Sequence, residues 1–241
     1  MVLLRETNIP IVSLVLTLAI FVAYLPPQPL AQQEEKIHFR GYGELHYNNT
    51  SQEGKTDKMD FHRMVIGISY HFNDWIVFDT EVDFEHAATE MELEYAHLEF
   101  LLSDAFNVRV GSMLMPVGYL NEFHEPPLFY SVERPYVQKN VIPTTWQEGG
   151  VGIFGSPHPD LRYRLYLVGG LDASKFKAGS GIRKGRGKVA SAKAENLAIV
   201  GRVEYIGALG LQVGASGYFG GAAQGDSELG NASLSFLEAD L

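Results

Sequence analysis

The sequence predicts an all-β fold, an antiparallel transmembrane β-barrel of the outer-membrane kind, and three observations predict it. Apolar and polar residues alternate along successive segments, long and short connections between those segments alternate too, and an export-type leader precedes them. Alternation with a period of two suits a wall between lipid and water, and outer-membrane barrels place short turns at one end and long loops at the other. A soluble sandwich has no reason to sort its loops this way.

The leader carries Arg5, an apolar run over 9–25 broken by Pro10, Ser13 and Thr17, and then Pro26, Pro27, Pro29 and Ala31. Such a run is short for a transmembrane helix, and a proline cluster behind it suits the end of a signal peptide. We therefore expect a signal peptide over 1–31 and a barrel domain over 32–241. Roughly 210 residues remain after the leader, enough for one large domain. Without cysteine there is neither a disulfide framework nor thiolate chemistry. A net charge of −10 argues against nucleic acid as a partner.

The segments divide into roughly ten strands. The first, 37–47, places Ile37, Phe39, Leu45 and Tyr47 on one face and His38, Arg40, Glu44 and His46 on the other, and the polar stretch 48–57 follows as a loop. The second, 59–72, sets Met64, Ile66, Ile68 and Tyr70 against Arg63, Gly67, Ser69 and His71, with a tight turn at Asn73 and Asp74. The third, 75–86, has Phe78, Val82 and Phe84 toward lipid and Asp79, Glu81, Asp83 and Glu85 toward water. The fourth begins near Met91, and its phase slips around Ala96 and His97, which predicts a bulge there. The fifth, 106–113, opposes Phe106, Val108 and Val110 to Asn107 and Arg109.

A long connection, 114–148, precedes a glycine-rich sixth strand, 149–155. After the turn 156–160, the seventh strand, 161–170, sets Leu161, Tyr163, Leu165 and Leu167 against Arg162, Arg164 and Tyr166. A basic loop, 171–195, carries Lys175, Lys177, Arg183, Lys184, Arg186, Lys188 and Lys193. Segments 197–205, with Arg202 facing inward, and 209–219 form a hairpin, and a last strand starts at 232.

Five stretches give the chain a specific likeness: LEYAHLEFLLSDAFNVRVG over 93–111, Met115-Pro116-Val117-Gly118, NEFHEPP over 121–127, Glu133-Arg134-Pro135, and IPTTWQEG over 142–149. Together they resemble the phosphate-selective porin O/P group of outer-membrane channels, over about residues 36–219. The resemblance implies a bacterial outer-membrane porin for passive diffusion of small solutes or ions, anion- or phosphate-leaning. It also implies that the loop 114–148 folds into the barrel and narrows the pore. Its prolines deny that loop regular structure, and Phe123, Leu128, Phe129, Tyr130 and Trp146 give it apolar surface to pack against an inner wall.

Lipid, lipopolysaccharide and small hydrophilic solutes or anions are the expected partners, with a homo-trimer left open. Because barrels of this group have more strands than ten, the chain reads as the N-terminal part of a larger barrel, truncated at its C-terminal end. The pore-lining and constriction candidates are Arg63, Asp79, Glu81, Asp83, Glu85, Glu94, Arg109, Arg162, Arg164 and Arg202 on strands. In the loop they are Glu122, Glu125, Glu133, Arg134 and Lys139. More acids than bases in that loop weigh against phosphate specificity, whereas the basic loop 171–195 gathers anions, binds lipopolysaccharide or is simply solvated.

The run Glu81-Val82-Asp83-Phe84-Glu85 invites an alternative, a secreted β-sandwich glycosidase using alternate carboxylates on one strand. Asp79, Glu90, Glu92 and Glu94 prolong the same acidic face, which suits a water-filled lumen better than a two-carboxylate site, so no enzyme is expected. A barrel used for surface adhesion is a third, non-enzymatic reading. No cofactor or metal is expected either. His124-Glu125 runs into Pro126 and Pro127, and His38 and His46 are about 27 Å apart along their strand.

Strand register yields a sharper expectation. A three-residue turn at 72–74 sets Arg63 opposite Asp83, and a four-residue turn at 87–90 sets Asp83 opposite Glu94 and Glu85 opposite Glu92. This register predicts a wall cluster of Arg63, Asp83, Glu94 and Arg109, with Arg63 to Asp83 its firmest contact.

Overall fold

A computed structural model describes residues 36–49, 54–125, 128, 136, 142–143 and 145–241. The expected signal peptide, 1–31, and the candidates Glu133, Arg134 and Lys139 lie outside the described residues. Ten strands follow one another: β1 (Ile37–Asn48), β2 (Lys58–Asn73), β3 (Ile76–Glu85), β4 (Glu90–Leu101), β5 (Asn107–Leu114), β6 (Gln147–His158), β7 (Leu161–Gly169), β8 (Leu197–Ala208), β9 (Leu211–Gly221) and β10 (Ser233–Asp240). Each pairs antiparallel with its neighbour in sequence, giving one sheet in the order β1 to β10. All ten lie in this single sheet, which overturns the two-sheet sandwich alternative. Among the described residues no ladder joins β1 to β10, so the sheet is open and matches part of a larger barrel rather than a closed one.

Alternation divides the sheet into two unlike faces. On one, Phe39, Met59, Leu93, Leu165, Ile199 and Leu237 are exposed. On the other, Arg63, Glu81, Asp83, Tyr166, Arg202 and Tyr218 are buried. An apolar surface running the length of the sheet is far larger than a soluble monomer leaves in water, and it is what hydrocarbon requires of a barrel wall. The connections sort as expected. Asp74-Trp75, Pro159-Asp160 and Leu209-Gly210 close three hairpins at one end, while 115–146 and 170–196 emerge at the other. Gly210 adopts φ +76°, a left-handed conformation that glycine takes without a Cβ clash.

The predicted register is corrected by two residues. Arg63 lies opposite Glu85, Gly67 opposite Glu81 and Ser69 opposite Asp79. Asn73 remains in β2, and its side-chain oxygen accepts from the backbone N–H of Trp75 (3.1 Å) and Ile76 (2.8 Å), closing the turn more tightly than a three-residue loop. A shift of two preserves which face each residue occupies, so the inward set survives while its pairings change. Between β3 and β4, Asp83 meets Glu92 and Glu85 meets Glu90. The connection there starts a residue early, with His86, Ala87 and Ala88 all at positive φ. A bulge does interrupt β4, but at Glu94, between Leu93 and Tyr95, rather than at Ala96 and His97.

The covered face carries the core. Met113, Met115, Val117, Trp146, Tyr166, Val168, Leu171, Ala198, Val200 and Tyr218 form one buried cluster, joined by Phe236. Tyr218 and Phe236 stack at 5.4 Å with an interplanar angle of 3°. Burying each large side chain here contributes about 1.5–3 kcal/mol, which fastens the long connections to the sheet.

Candidate functional site

The described part of the β5–β6 connection does not project from the sheet but lies against its covered face. Met115, Val117 and Trp146 are fully buried within the core. Gly118 N–H donates to the Ser216 hydroxyl on β9 (3.3 Å). The Glu122 carboxylate lies 3.1 Å from Arg164 on β7, and His124 lies 3.4 Å from Glu94 on β4. The segment 115–125 thus reaches strands on both sides of its own hairpin. Asn121 clasps its two stems: Nδ2 donates to the carbonyls of Met115 (2.7 Å) and Trp146 (2.9 Å), and Oδ1 accepts from Trp146 N–H (2.9 Å).

Around this segment the charges of the covered face form compensated groups. Arg40 on β1 donates to Asp79 (2.9 Å), to Ser69 (2.8 Å) and to the Tyr95 hydroxyl, and lies 3.8 Å from Glu81. Arg63 donates to Glu85 (2.8 Å) and lies 3.5 Å from Asp83. Arg109 donates to Glu99 (2.6 Å) and to the Tyr166 hydroxyl (2.8 Å), its guanidinium 4.7 Å from the Phe154 ring centroid. Arg164 joins Glu122 to Glu204 (2.6 Å), and Arg202 joins Glu204 (2.8 Å) to Asp240 (2.7 Å). Gly152 admits the Tyr166 ring, which a Cβ there would strike. Asp79, Tyr95, His97, Arg109, Glu122 and Arg164 line a cavity of about 220 Å³ beneath the loop.

The expected wall cluster is therefore divided. Arg63 keeps Asp83, but its nearest partner is Glu85. Glu94 turns to His124 instead of Asp83, and Arg109 stands with Glu99 and His97, the latter 3.4 Å from Glu99. The earlier β3–β4 turn moves Asp83 opposite Glu92, and the β4 bulge places Glu94 and Tyr95 differently from an unbroken alternation. Glu125 is half-buried at the end of the described crossing segment. Arg162 is exposed, opposite Glu204 in the ladder.

Several participants escaped the sequence reading. Glu99 and Tyr95 follow the bulge, where alternation lost its phase, and Glu204 and Asp240 emerge only once β8 and β10 are in register. The structure also brings Asp60, His62 and His86 together, a group with metal-ligating donors that spacing along one strand did not reveal.

The basic connection between β7 and β8 is partly ordered by short 3-10 turns at Ala173–Lys175 and Arg183–Gly185. Lys188 reaches Glu92 at 2.6 Å, and Arg186 donates to the Thr145 carbonyl (3.1 Å), tying this loop to the stem of the crossing one. Burial, then the neighbouring Arg183, pushes Arg186 down to about 10, so it still carries its charge at neutral pH. Burial raises Asp172, but hydrogen bonds from Ser174 and the charges of Lys175 and Lys193 outweigh it and hold the carboxyl below its ordinary value. Arg183, Lys184, Arg186 and Lys188 surround a shallow cavity of about 320 Å³.

Comparison with known proteins agrees with the resemblance read from the sequence. Residues 39–147 match the family described as phosphate-selective porin O and P. A protein of Aquifex aeolicus (strain VF5), itself described as uncharacterized, is 37% identical over 210 residues, covering 83% of this chain and 48% of that protein. The chain spans about half the length of the relative it matches.

Proposed function

We propose that this chain, whose residues 39–147 match the phosphate-selective porins O and P, forms wall and constriction of a passive outer-membrane channel. Its open apolar face is the lipid side, and its covered face lines a wet lumen through which small hydrophilic solutes move down their gradients. The observation that carries this reading is the path of 115–125, which leaves β5 and contacts β9, β7 and β4 across the covered face. A segment so placed narrows a lumen; a loop in external water has no reason to meet those strands. The family likeness supports transport without catalysis, and the acidic run of β3 fits that role, since its carboxylates are engaged by Arg40 and Arg63.

Selectivity in this reading is weak in the wall and anion-leaning at the mouth. Arg40, Arg63, Arg164 and Arg202 each meet at least two carboxylates. Cations so outnumbered by carboxylates give a passing phosphate no attraction at the wall. The basic loop, with its cavity among Arg183, Lys184, Arg186 and Lys188, raises the local anion concentration before the constriction.

Planar-bilayer recording tests the proposal. We expect discrete conductance steps, with a reversal potential in a salt gradient displaced modestly toward anions. Absence of steps from a heat-modifiable, correctly inserted protein would sink the channel; a strong cation displacement would sink only the selectivity.

A further inference from the structure

We propose that Asp60, His62 and His86 form a binding site for a borderline divalent metal ion, Zn²⁺ foremost, at the end of the sheet where β1 meets β2 and β3 meets β4. Two irregularities build it. The β1–β2 ladder is bulged between Glu44 and Leu45, which face Arg63 and Phe61, so His62 is the extra residue on β2. Strict alternation would send His62 to the face opposite Arg63. The bulge instead brings its ring to Asp60, with Nδ1 3.1 Å from Oδ2, and stacks it on His46 at 4.3 Å and 13°.

The second irregularity is the β3–β4 turn. His86 takes a left-handed conformation, φ 49°, and its backbone N–H donates to the His62 carbonyl (3.0 Å), while Ala87 N–H donates to the Phe61 carbonyl (2.9 Å). These bonds seat the His86 ring 5.3 Å from that of His62, and its Nδ1 lies 2.8 Å from the same Asp60 oxygen.

One carboxylate oxygen therefore faces two imidazole nitrogens, and one donor atom from each residue lies within 4.8 Å of the others. Bonds of about 2.0–2.1 Å to Zn²⁺ set the donors roughly 3.3 Å apart, so the carboxylate–imidazole separations of 3.1 and 2.8 Å open slightly and the two imidazole nitrogens, within 4.8 Å of each other, settle to that spacing by side-chain torsions. Two imidazoles and a carboxylate are the donor set of three-ligand zinc sites whose fourth position stays open to water. The two rings, neutral when they ligate, leave one negative charge for the cation to offset, and the adjacent Arg63 is already engaged by Asp83 and Glu85. Glu44, 3.1 Å from His46 Nε2, steadies the ring on which His62 stacks. The inference stands independently of the channel reading, because it needs only these side chains.

Titration of the intact chain in detergent with Zn²⁺, against a chromophoric chelator, tests it. About one equivalent should bind at neutral pH. His62→Gln and His86→Asn should each weaken binding by about 100-fold or more, since even partners of ligands are worth about 10–100-fold. Asn tolerates the left-handed backbone at position 86, and heat-modifiable migration reports that each variant is folded. Asp60→Asn supplies a second route should His86→Asn fail that check. His71→Gln, at a histidine that contacts His38 elsewhere on the sheet, should leave the equivalent intact. No Zn²⁺ bound by the unaltered chain would overturn the site, as would binding that survives in the His62/His86 double variant or falls equally in His71→Gln.

Discussion

Arg63 and Glu85 face each other across the β2–β3 ladder, with guanidinium and carboxylate 2.8 Å apart, while Asp83 lies one inward position along at 3.5 Å. One cation thus serves two carboxylates on a face that we assign to the lumen. Their separation decides what its removal does, because both acids are left without their shared counter-charge.

Arg63→Ala should therefore displace the reversal potential toward cations while the barrel still forms. The side chain is 10% exposed and Asp83 3%, so part of the penalty for an uncompensated buried charge applies, and water in the lumen moderates it. Recordings in a salt gradient, together with heat-modifiable migration, check both halves. An unmoved reversal potential in a folded variant would show that this pair does not face the ion path.

Exposure separates two other arginines. Arg202 is 1% exposed and sits among Glu204, Glu238 and Asp240, whereas Arg40 is 38% exposed beside Asp79. Truncating a buried partner costs about 3–5 kcal/mol, against about 0–1 kcal/mol for an exposed pair. Arg202→Ala should lower the temperature of heat-modified migration markedly, and Arg40→Ala should lower it less, by what the loss of its 3.8 Å neighbour costs the buried Glu81. Equal shifts would contradict the difference in burial.

Much of this arrangement was legible because alternation survives errors of register. A two-residue slip between β2 and β3 left Arg63, Glu81, Asp83 and Glu85 on the face assigned to them. What could not be read was pairing, since the Asn73 side chain closes the turn and a sequence does not reveal how tightly. Bulges were harder still. The β3–β4 turn starts one residue before the expected 87–90, which moves Asp83 from Glu94 to Glu92, and the bulge lies at Glu94 rather than at Ala96 and His97, which left Glu99 unnoticed. The one opposite Glu44 and Leu45 went unseen, which concealed the meeting of His62 with Asp60 and His86. The crossing of 115–125 came from a family likeness, because aperiodic segments carry no pattern that fixes where they lie.

Asn121→Ala tests how the crossing segment is held. It removes three hydrogen bonds to buried backbone groups of Met115 and Trp146; the carbonyls of Met115 and Trp146 keep the N–H groups of Val117 and Met115, so Trp146 N–H is the group left unpaired, at a cost of about 1–3 kcal/mol. The segment should loosen without loss of the sheet, seen as faster amide exchange at Trp146 and greater open-channel noise. Asn121→Asp should be no better, because its second carboxylate oxygen would stand where Nδ2 now meets the two carbonyl oxygens and be repelled by them. Full rescue by Asp would show that only the bond from Trp146 N–H matters.

Deletion of 122–140 addresses the constriction itself. This removes Glu122 and His124, and with them the contacts to Arg164 and Glu94 that carry the segment toward β7 and β4, while Met115, Val117, Asn121 and Trp146 remain to anchor both stems in the core. If the segment narrows the lumen, single-channel conductance should rise several-fold, because a hydrated path limited by its tightest section gains most when that section is removed. Arg164 would retain Glu204 at 2.6 Å, so the wall should not collapse into the vacated space. Unchanged conductance in a barrel that still migrates as heat-modifiable would place the limiting section elsewhere, with the basic loop at the mouth the next segment to remove.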